Sequence, residues 1–336
     1  MRLFPTARNT KTKSKKLSIS KRYIYISILS KDIVMAKKNR LYKALKHPEW
    51  LFGVILRRTF GKWLDDRTFI KWEYFSGMRK FPNLDNPRLY NEKLQWLKLN
   101  DIHPEYARLV DKYEIKEYVA KIIGEEYIIP TLGVYDSFDE IDFDQLPNQF
   151  ILKTTHDSGG NFICKDKTKL DKNKARKKLE KSLKQNFFYE HREYPYKYLK
   201  PRIIAEQFMV DESGSDLKDY KFLCFDGKCK IFLIMSGRQI PEGPFLTYFD
   251  LDFNKLPCTQ EYPVHPVTPT KPDNFEEMIR IVEQLSIGYP HVRVDLYNVN
   301  GKIYFGELTF FSGAGNTPIM PVEWDRKIGD MLKLPK

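Results

Sequence analysis

Cysteine and histidine are both scarce in this chain. The four cysteines, at 164, 224, 229 and 258, have no zinc-binding spacing. The six histidines form neither an HExxH pair nor a partnered triad, so zinc-protease and histidine-dependent nucleophile chemistry have no sequence support. A GxxxxGK[ST] loop is missing, and so is a GxGxxG turn opening a helix after a strand, which removes the P-loop and Rossmann fingerprints. Long apolar runs are lacking too: YIYISIL (23–29) is too short to span a bilayer. No internal repeat is visible, and low complexity is confined to the N-terminal tail.

Charge of one sign is missing where it first looks abundant. The chain carries +13 over 336 residues. Residues 1–46 hold 14 Lys or Arg against a single acid, Asp32, while the remainder holds 43 bases and 43 acids. The body is therefore neutral, and the case for a general nucleic-acid surface falls away. The tail has three readings. It resembles a targeting segment superficially; it is a start-site error, with Met35-Ala36-Lys37-Lys38 as the ordinary beginning; or it is an arm that touches an anionic membrane and continues into WLFGVILRRTFGKWL (50–64). The second is preferred, and 50–64 also reads as a plain core helix.

Hydrophobic residues make up 42% of the chain, ample for one elaborate domain or two. After the tail, 47–110 reads as a helical region, 111–205 as one α+β subdomain and 206–336 as another. Periodicity predicts helices over 111–123, 166–189 and 274–287, a strand over 127–135, and an amphipathic terminal helix. Residues 238–272 carry eight prolines or glycines from Pro241 to Pro272 and read as strands with long loops. HREYPYKYLKPR (191–202) reads as a lid or acceptor surface, or as a packed edge.

The most informative segment is VRVDLYNVNGKIYFGELTF (292–310), a β-hairpin carrying Asp295 and Glu307. With a two-residue turn at Asn300-Gly301, those acids would point to opposite faces of the sheet. With NVNG as a type I turn followed by a glycine bulge, Asn298 pairs with Lys302 and Asp295 with Phe305, and both acids share one face. The bulged turn is taken here. Val292, Val294 and Leu296 then form an apolar row on the other face. Two such carboxylates suit Mg²⁺ that arrives with phosphates; a cross-strand Arg293–Glu307 ion pair is the competing reading.

Upstream, QFILKTTHDSGGNFICKDK (149–167) is a strand bearing Lys153, a loop with Ser158-Gly159-Gly160, and a second strand. Such a loop can cradle phosphate oxygens beside the ammonium, or it is a hairpin loop with an exposed lysine. His156 within it is a phosphate contact or, more commonly for its kind, a solvent-facing loop histidine. A third segment, RIIAEQFMV (202–210), precedes DYKFLCFDGKCKIFLIMSGR, a hairpin turning at Asp226-Gly227. That turn sets Cys224 opposite Cys229, as thiols or as a cross-strand disulfide.

In this order, together with LYNEKLQWLKLND (89–101) and LVDKYEIKEYVAK (109–121), the segments resemble the ATP-grasp superfamily and its teichuronopeptide-biosynthesis (TupA-like) branch over roughly residues 65–335. The resemblance implies an α+β ATP-grasp fold with nucleotide between two subdomains. Lys112 and Lys153 look like the phosphate-binding lysines, with Ser158, Gly159 and Gly160 as a mobile loop over the triphosphate. Glu206 would accept from the adenine amino group, the backbone of Gln207 and Met209 would meet the ring edge, and Asp219 would hold the ribose. Lys221, on the same strand face, would reach phosphate. Asp295 and Glu307 match the magnesium carboxylates. Thr309 stands where relatives more often carry asparagine, which weakens its claim as a ligand. Arg293 is similar to the arginine that steadies the transferred phosphoryl group.

The activity so implied is ATP-dependent ligation of a carboxylate to an amine through an acyl phosphate, with ATP and Mg²⁺, two ions, as cofactors. Phosphoryl transfer asks mainly for charge neutralisation and alignment, which lysines, an arginine and metal supply. The branch is associated with cell-surface polysaccharide and capsule assembly, so an amino acid joined to a uronic acid or amino sugar is the implied chemistry. The partner would be a small molecule or glycan, and the site of action cytoplasmic, with peripheral contact at the inner membrane face through the tail. An ATP-using enzyme works in a reducing compartment, which favours thiols. The alternatives are an ATP-grasp kinase, a polysaccharide-pathway glycosyltransferase, and a scaffold that binds ATP without turnover.

Overall fold

A computed structural model describes residues 48–211, 217–238, 240 and 242–336. The tail and its three readings lie outside the described residues. The chain divides into two units, Met1–Val54 and Ile55–Lys336. In the first, the described residues belong to helix Pro48–Ile55, with Leu51 and Phe52 exposed.

Two antiparallel sheets organise the second unit. One contains β1 (Thr131–Tyr135), β2 (Phe150–Thr154), β3 (Asn161–Cys164) and β4 (Ile203–Gln207), in the order β1-β4-β2-β3. The other contains β5 (Asp219–Phe225), β6 (Lys228–Ser236), β7 (Phe245–Phe249), β9 (His291–Val299) and β10 (Lys302–Thr309), in the order β10-β9-β5-β6-β7. A short pair, β8 (Thr259–Gln260) with β11 (Ile319–Met320), lies apart. β4 belongs wholly to the first sheet, so the change of sheet falls after Gln207 rather than between 205 and 206.

Each sheet turns one face to a helix. On the first, Phe150, Leu152, Ile203 and Ala205 meet Ala175 and Leu179 of helix Lys172–Leu183. Alternation then sends Ile151, Lys153 and Glu206 to the other face. On the second, Phe222, Val292, Val294 and Leu296 are fully buried with Phe275, Met278, Val282 and Leu285 of helix Phe275–Ser286. Spacings of three and four residues place that apolar stripe on one side of the helix. Each such burial stabilises by about 1.5–3 kcal/mol.

Several elements are shorter than periodicity suggested. The stretch 166–189 breaks into a 3-10 turn, helix Lys172–Leu183 and helix Phe188–His191. The Asp171 carboxylate accepts from Lys174 N at 2.9 Å and starts the main helix afresh. The helix expected from 111 begins at Glu114, because the Asp111 carboxylate accepts from the backbone N–H groups of Tyr113 and Glu114. The strand expected over 127–135 forms only from Thr131. All four cysteines are buried free thiols, with Cys224 opposite Cys229. In 50–64, Ile55, Phe60 and Trp63 are exposed while Leu56 is buried, so the segment is not a plain core helix. Among the described residues no helix is long and apolar enough to cross a membrane.

Candidate functional site

The hairpin reaches its expected result by a different route. Asn300 and Gly301 do form a two-residue turn, with φ of 53° and 81°, and Val299 pairs with Lys302. The bulged NVNG turn is therefore wrong. Continued unbroken, this register would have sent Asp295 and Glu307 to opposite faces. The ladder shifts between Phe305 and Glu307 instead, with Gly306 as the extra residue, so Glu307 lies directly opposite Asp295 and Thr309 opposite Arg293. A Cβ at 306 would come 3.0 Å from Asp295 O and 3.1 Å from Tyr297 Cε2, which is why the bulge carries glycine.

Cations enclose these acids. Arg293 Nε and Nη2 donate to the two Asp295 oxygens at 2.6 and 2.8 Å, and Nη2 also reaches Glu307 Oε1 at 2.7 Å and Thr309 Oγ1 at 3.0 Å. Ser312 Oγ takes Nη1 at 3.1 Å. From β5, directly opposite, Lys221 donates to Asp295 and lies 3.5 Å from Asp219. Arg238 closes the row on Asp219. Asp295 is 2% exposed, and burial alone would raise its carboxyl; Arg293 and Lys221 outweigh this and hold it at about 2. Glu307 differs: its side chain is 48% exposed.

Strand β2 supplies Lys153, the segment leading into helix Glu114–Ile123 supplies Lys112, and the first turn of that helix supplies Lys116. Lys153 meets Glu206 at 2.6 Å, and Lys116 meets the other oxygen at 2.5 Å. Burial opposes the charge of Lys153, but Glu206, Glu307 and Asp219 together raise its pKa. Burial would likewise raise Glu206, yet Lys153 and Lys116 draw it to about 2. Lys112 donates to the carbonyls of Thr154, at 3.0 Å, and Asp157, and lies within electrostatic reach of Glu307 and Lys153. The acidic row and the lysines thus face one another across a single gap.

In the 155–160 loop, Ser158 and Gly159 are exposed, whereas Gly160 is buried. Asp157 ties the loop down by accepting from Thr154 Oγ1 at 2.5 Å and from Ser182 Oγ. His156 is not solvent-facing: it is 2% exposed, with Nε2 3.1 Å from Gln185 O.

Glu206, Gln207, Met209 and Asp219 line one cleft with Lys153 and Asn161. Its empty volume is about 760 Å³, open solvent included, and Ile129, Ile151, Ile163 and Phe208 are among its apolar walls. That combination suits a planar base with a charged tail. Sequence reasoning missed Lys116, Tyr297 and Arg238. Lys116 stood one helical turn after Lys112, and Tyr297 two strand positions after Asp295, so both were within reach of periodicity; Arg238 gave no signal. It also missed what LYNEKLQWLKLND does. In helix Tyr90–Asn100, Gln95 Nε2 donates to the carbonyls of Ala314 and Gly315 at 3.0 and 2.9 Å, and Lys98 Nζ to Ala314 O at 2.8 Å. The motif clamps the loop that carries Ser312.

Two α+β halves, one presenting lysines and a glycine loop, the other an acidic hairpin, define an ATP-grasp fold. The chain belongs to the TupA-like ATP-grasp family, whose model matches residues 92–333. Among solved structures it is similar to a D-alanine–D-alanine ligase from Bacillus anthracis complexed with ATP (13% identity, 60% of this chain and 54% of that chain, TM-score 0.35). It is also similar to a D-alanine–D-alanine ligase from Helicobacter pylori (15%, 74% and 68%, 0.38) and to the ATP-grasp ligase PsnB complexed with minimal precursor, Mg and ADP (10%, 79% and 69%, 0.37). This chain therefore spans little more than half the length of the Bacillus anthracis enzyme. No curated protein matches it.

Proposed function

We propose that the protein is an ATP-dependent carboxylate–amine ligase that works through an acyl phosphate and serves cell-surface polysaccharide assembly. One observation carries this reading: Lys112 and Lys153 oppose the Asp219–Asp295–Glu307 row beside a cleft with apolar walls. Adenine would lie against Ile151 and Ile163, with Glu206 and the 207–209 backbone at its edge and Asp219 on the ribose. Lys112, Lys153 and the Ser158–Gly160 loop would hold the triphosphate. Arg293 and Lys221, already beside the carboxylates, are placed to offset charge on the transferred group.

The donor set fits magnesium of a particular kind. Asp295 and Glu307 offer hard oxygens side by side, and Thr309 Oγ1 donates to Glu307 at 3.2 Å. Among the described residues no group of three metal-ligating acids, histidines or cysteines occurs. Two carboxylates suit Mg²⁺ that brings phosphate and water as its remaining ligands, not a closed cage. Bound there, the metal would neutralise phosphate charge; Thr309 serves to orient Glu307.

The partner would be a small molecule or glycan, an amino acid joined to a uronic acid or amino sugar. Screening amino acids and uronic acids for stimulated ADP release, with hydroxylamine to trap the acyl phosphate, tests the reading. Hydroxamate with a carboxylate is expected. ADP release without hydroxamate or amide would mean a kinase, and no ADP with any acceptor would leave a binding protein.

A further inference from the structure

Lys116 stands in the first turn of helix Glu114–Ile123, and three oxygens surround its ammonium. Nζ donates to Ile129 O at 2.8 Å and to Thr131 Oγ1 at 2.9 Å, and it lies 2.5 Å from Glu206 Oε1. A lysine ammonium has three protons to give, so this set of acceptors matches its full capacity. The strands help to build the arrangement. Thr131 of β1 is the register partner of Glu206 of β4, and the ladder shifts just beyond it, between Thr131 and Gly133.

Lys153 holds the other side of the same carboxylate on looser terms. Its Nζ lies 2.6 Å from Glu206 Oε2, and among the described residues that is its one acceptor. Its side chain is 24% exposed, against 13% for Lys116. Lys153 and Glu206 line the cleft assigned to adenine, whereas Lys116 does not. Lys116 lines a smaller hollow with Lys112, Ile115 and Gly306. A triphosphate can therefore draw Lys153 away from Glu206 while Lys116 stays tied to Ile129 and Thr131.

A carboxylate reads adenine by accepting from the amino group at C6, which it does only while ionised. Glu206 is 4% exposed, and the charged groups facing it are these two lysines. Once Lys153 has gone to phosphate, Lys116 alone opposes the cost of that buried charge. We infer that Lys116 is a specificity-determining residue: it holds Glu206 ionised and in place from outside the cleft, so that the site takes a 6-amino purine and rejects a 6-oxo one. This rests on the cleft being the nucleotide site. Lys116 acts through Glu206 and is a positioning residue. Without it, a Glu206 deserted by Lys153 would take up a proton, and its O–H could then donate to a carbonyl at C6.

The test measures, by titration calorimetry on the full chain with magnesium, the dissociation constants of ATP and of ITP, whose base carries a carbonyl at C6. The wild-type chain should bind ATP about 100-fold more tightly, the value of one hydrogen bond to a charged group. In Lys116→Met that preference should narrow about tenfold, with ITP binding gained as ATP binding is lost. An unchanged preference overturns the inference, including an equal weakening of both nucleotides, the mark of a lysine that only supports the fold. Should Lys116→Met fail to fold by thermal melt, Thr131→Val decides. It removes one anchor of the ammonium at an exposed position, with a several-fold narrowing expected and no change overturning the inference. A wild-type chain that binds ATP and ITP alike leaves the nucleotide site standing and overturns the inference. One that binds neither removes the nucleotide reading, and this inference with it.

Discussion

Glu307→Gln is a cleaner test of the acidic hairpin than Asp295→Asn, and the structure says why. Asp295 is 2% exposed and answers three donor groups, Arg293 Nε, Arg293 Nη2 and Lys221 Nζ. Removing its charge leaves two buried cations short of a partner, and breaking a buried pair in this way costs about 3–5 kcal/mol. At roughly 2–4 °C per kcal/mol, the melting temperature drops on the order of 10 °C. Lost activity in that variant therefore mixes damage to the fold with loss of a ligand.

Glu307 lacks this complication. Its side chain is 48% exposed, and its pair with Arg293 at 2.7 Å contributes no more than about 1 kcal/mol. A glutamine oxygen can still accept from Arg293, so the melting temperature should move by less than about 4 °C. Activity should respond much more strongly. Charge stabilisation of several kcal/mol at the phosphoryl group corresponds to a fall of roughly 100- to 1,000-fold in magnesium-dependent ADP formation. The assay is ADP release against magnesium concentration, beside a thermal melt. A folded Glu307→Gln with wild-type rate and unshifted magnesium dependence would refute the reasoning.

Lys153→Ala should weaken ATP binding about tenfold to 100-fold by titration calorimetry, the value of one charged hydrogen bond; unchanged affinity would remove the residue from the phosphate site. Glu206 titrates at about 2 when folded against an ordinary 4.5, so its contribution of about 3 kcal/mol is complete above pH 4.5 and is lost as pH falls towards 2. Glu206→Gln should flatten that acid limb of urea-measured stability, and equal slopes in the two proteins would count against the lysine clamp. Gly160→Ala would overlap Thr154 Oγ1 and Ser182 Oγ and should cost about 1–3 kcal/mol. An unaltered melt there would show that the loop is not tied down as described.

The strands and their faces were largely legible because strand alternation is strict. Val292, Val294 and Leu296 announced a buried row, and the charged residues between them announced the other face. The turn was not legible. Asn300-Gly301 reads as part of a bulged NVNG turn because that puts both acids on one face, whereas the deciding bulge, at Gly306, lies further along the strand and shows in sequence only as an unremarkable glycine. Helix ends were missed for a related reason: Asp171 and Asp111 act through side-chain caps that compete with apolar periodicity.

The same packing removes the opposition between a metal clamp and a cross-strand ion pair. The chain must fold before it meets a nucleotide, and a hairpin that sets two carboxylates opposite each other needs cations beside them merely to form. Arg293 and Lys221 meet that need on one sheet, while Lys153 and Lys116 are steadied by Glu206 on the other. Each ionic group is therefore already paired with an opposite charge that a triphosphate and its metal could replace. Binding then exchanges partners rather than creating charge in a buried gap, so its cost is small. If the proposed ligase reading holds, Arg293–Glu307 would be the resting contact of the phosphate site, and the half-exposed Glu307 would be the partner that gives way.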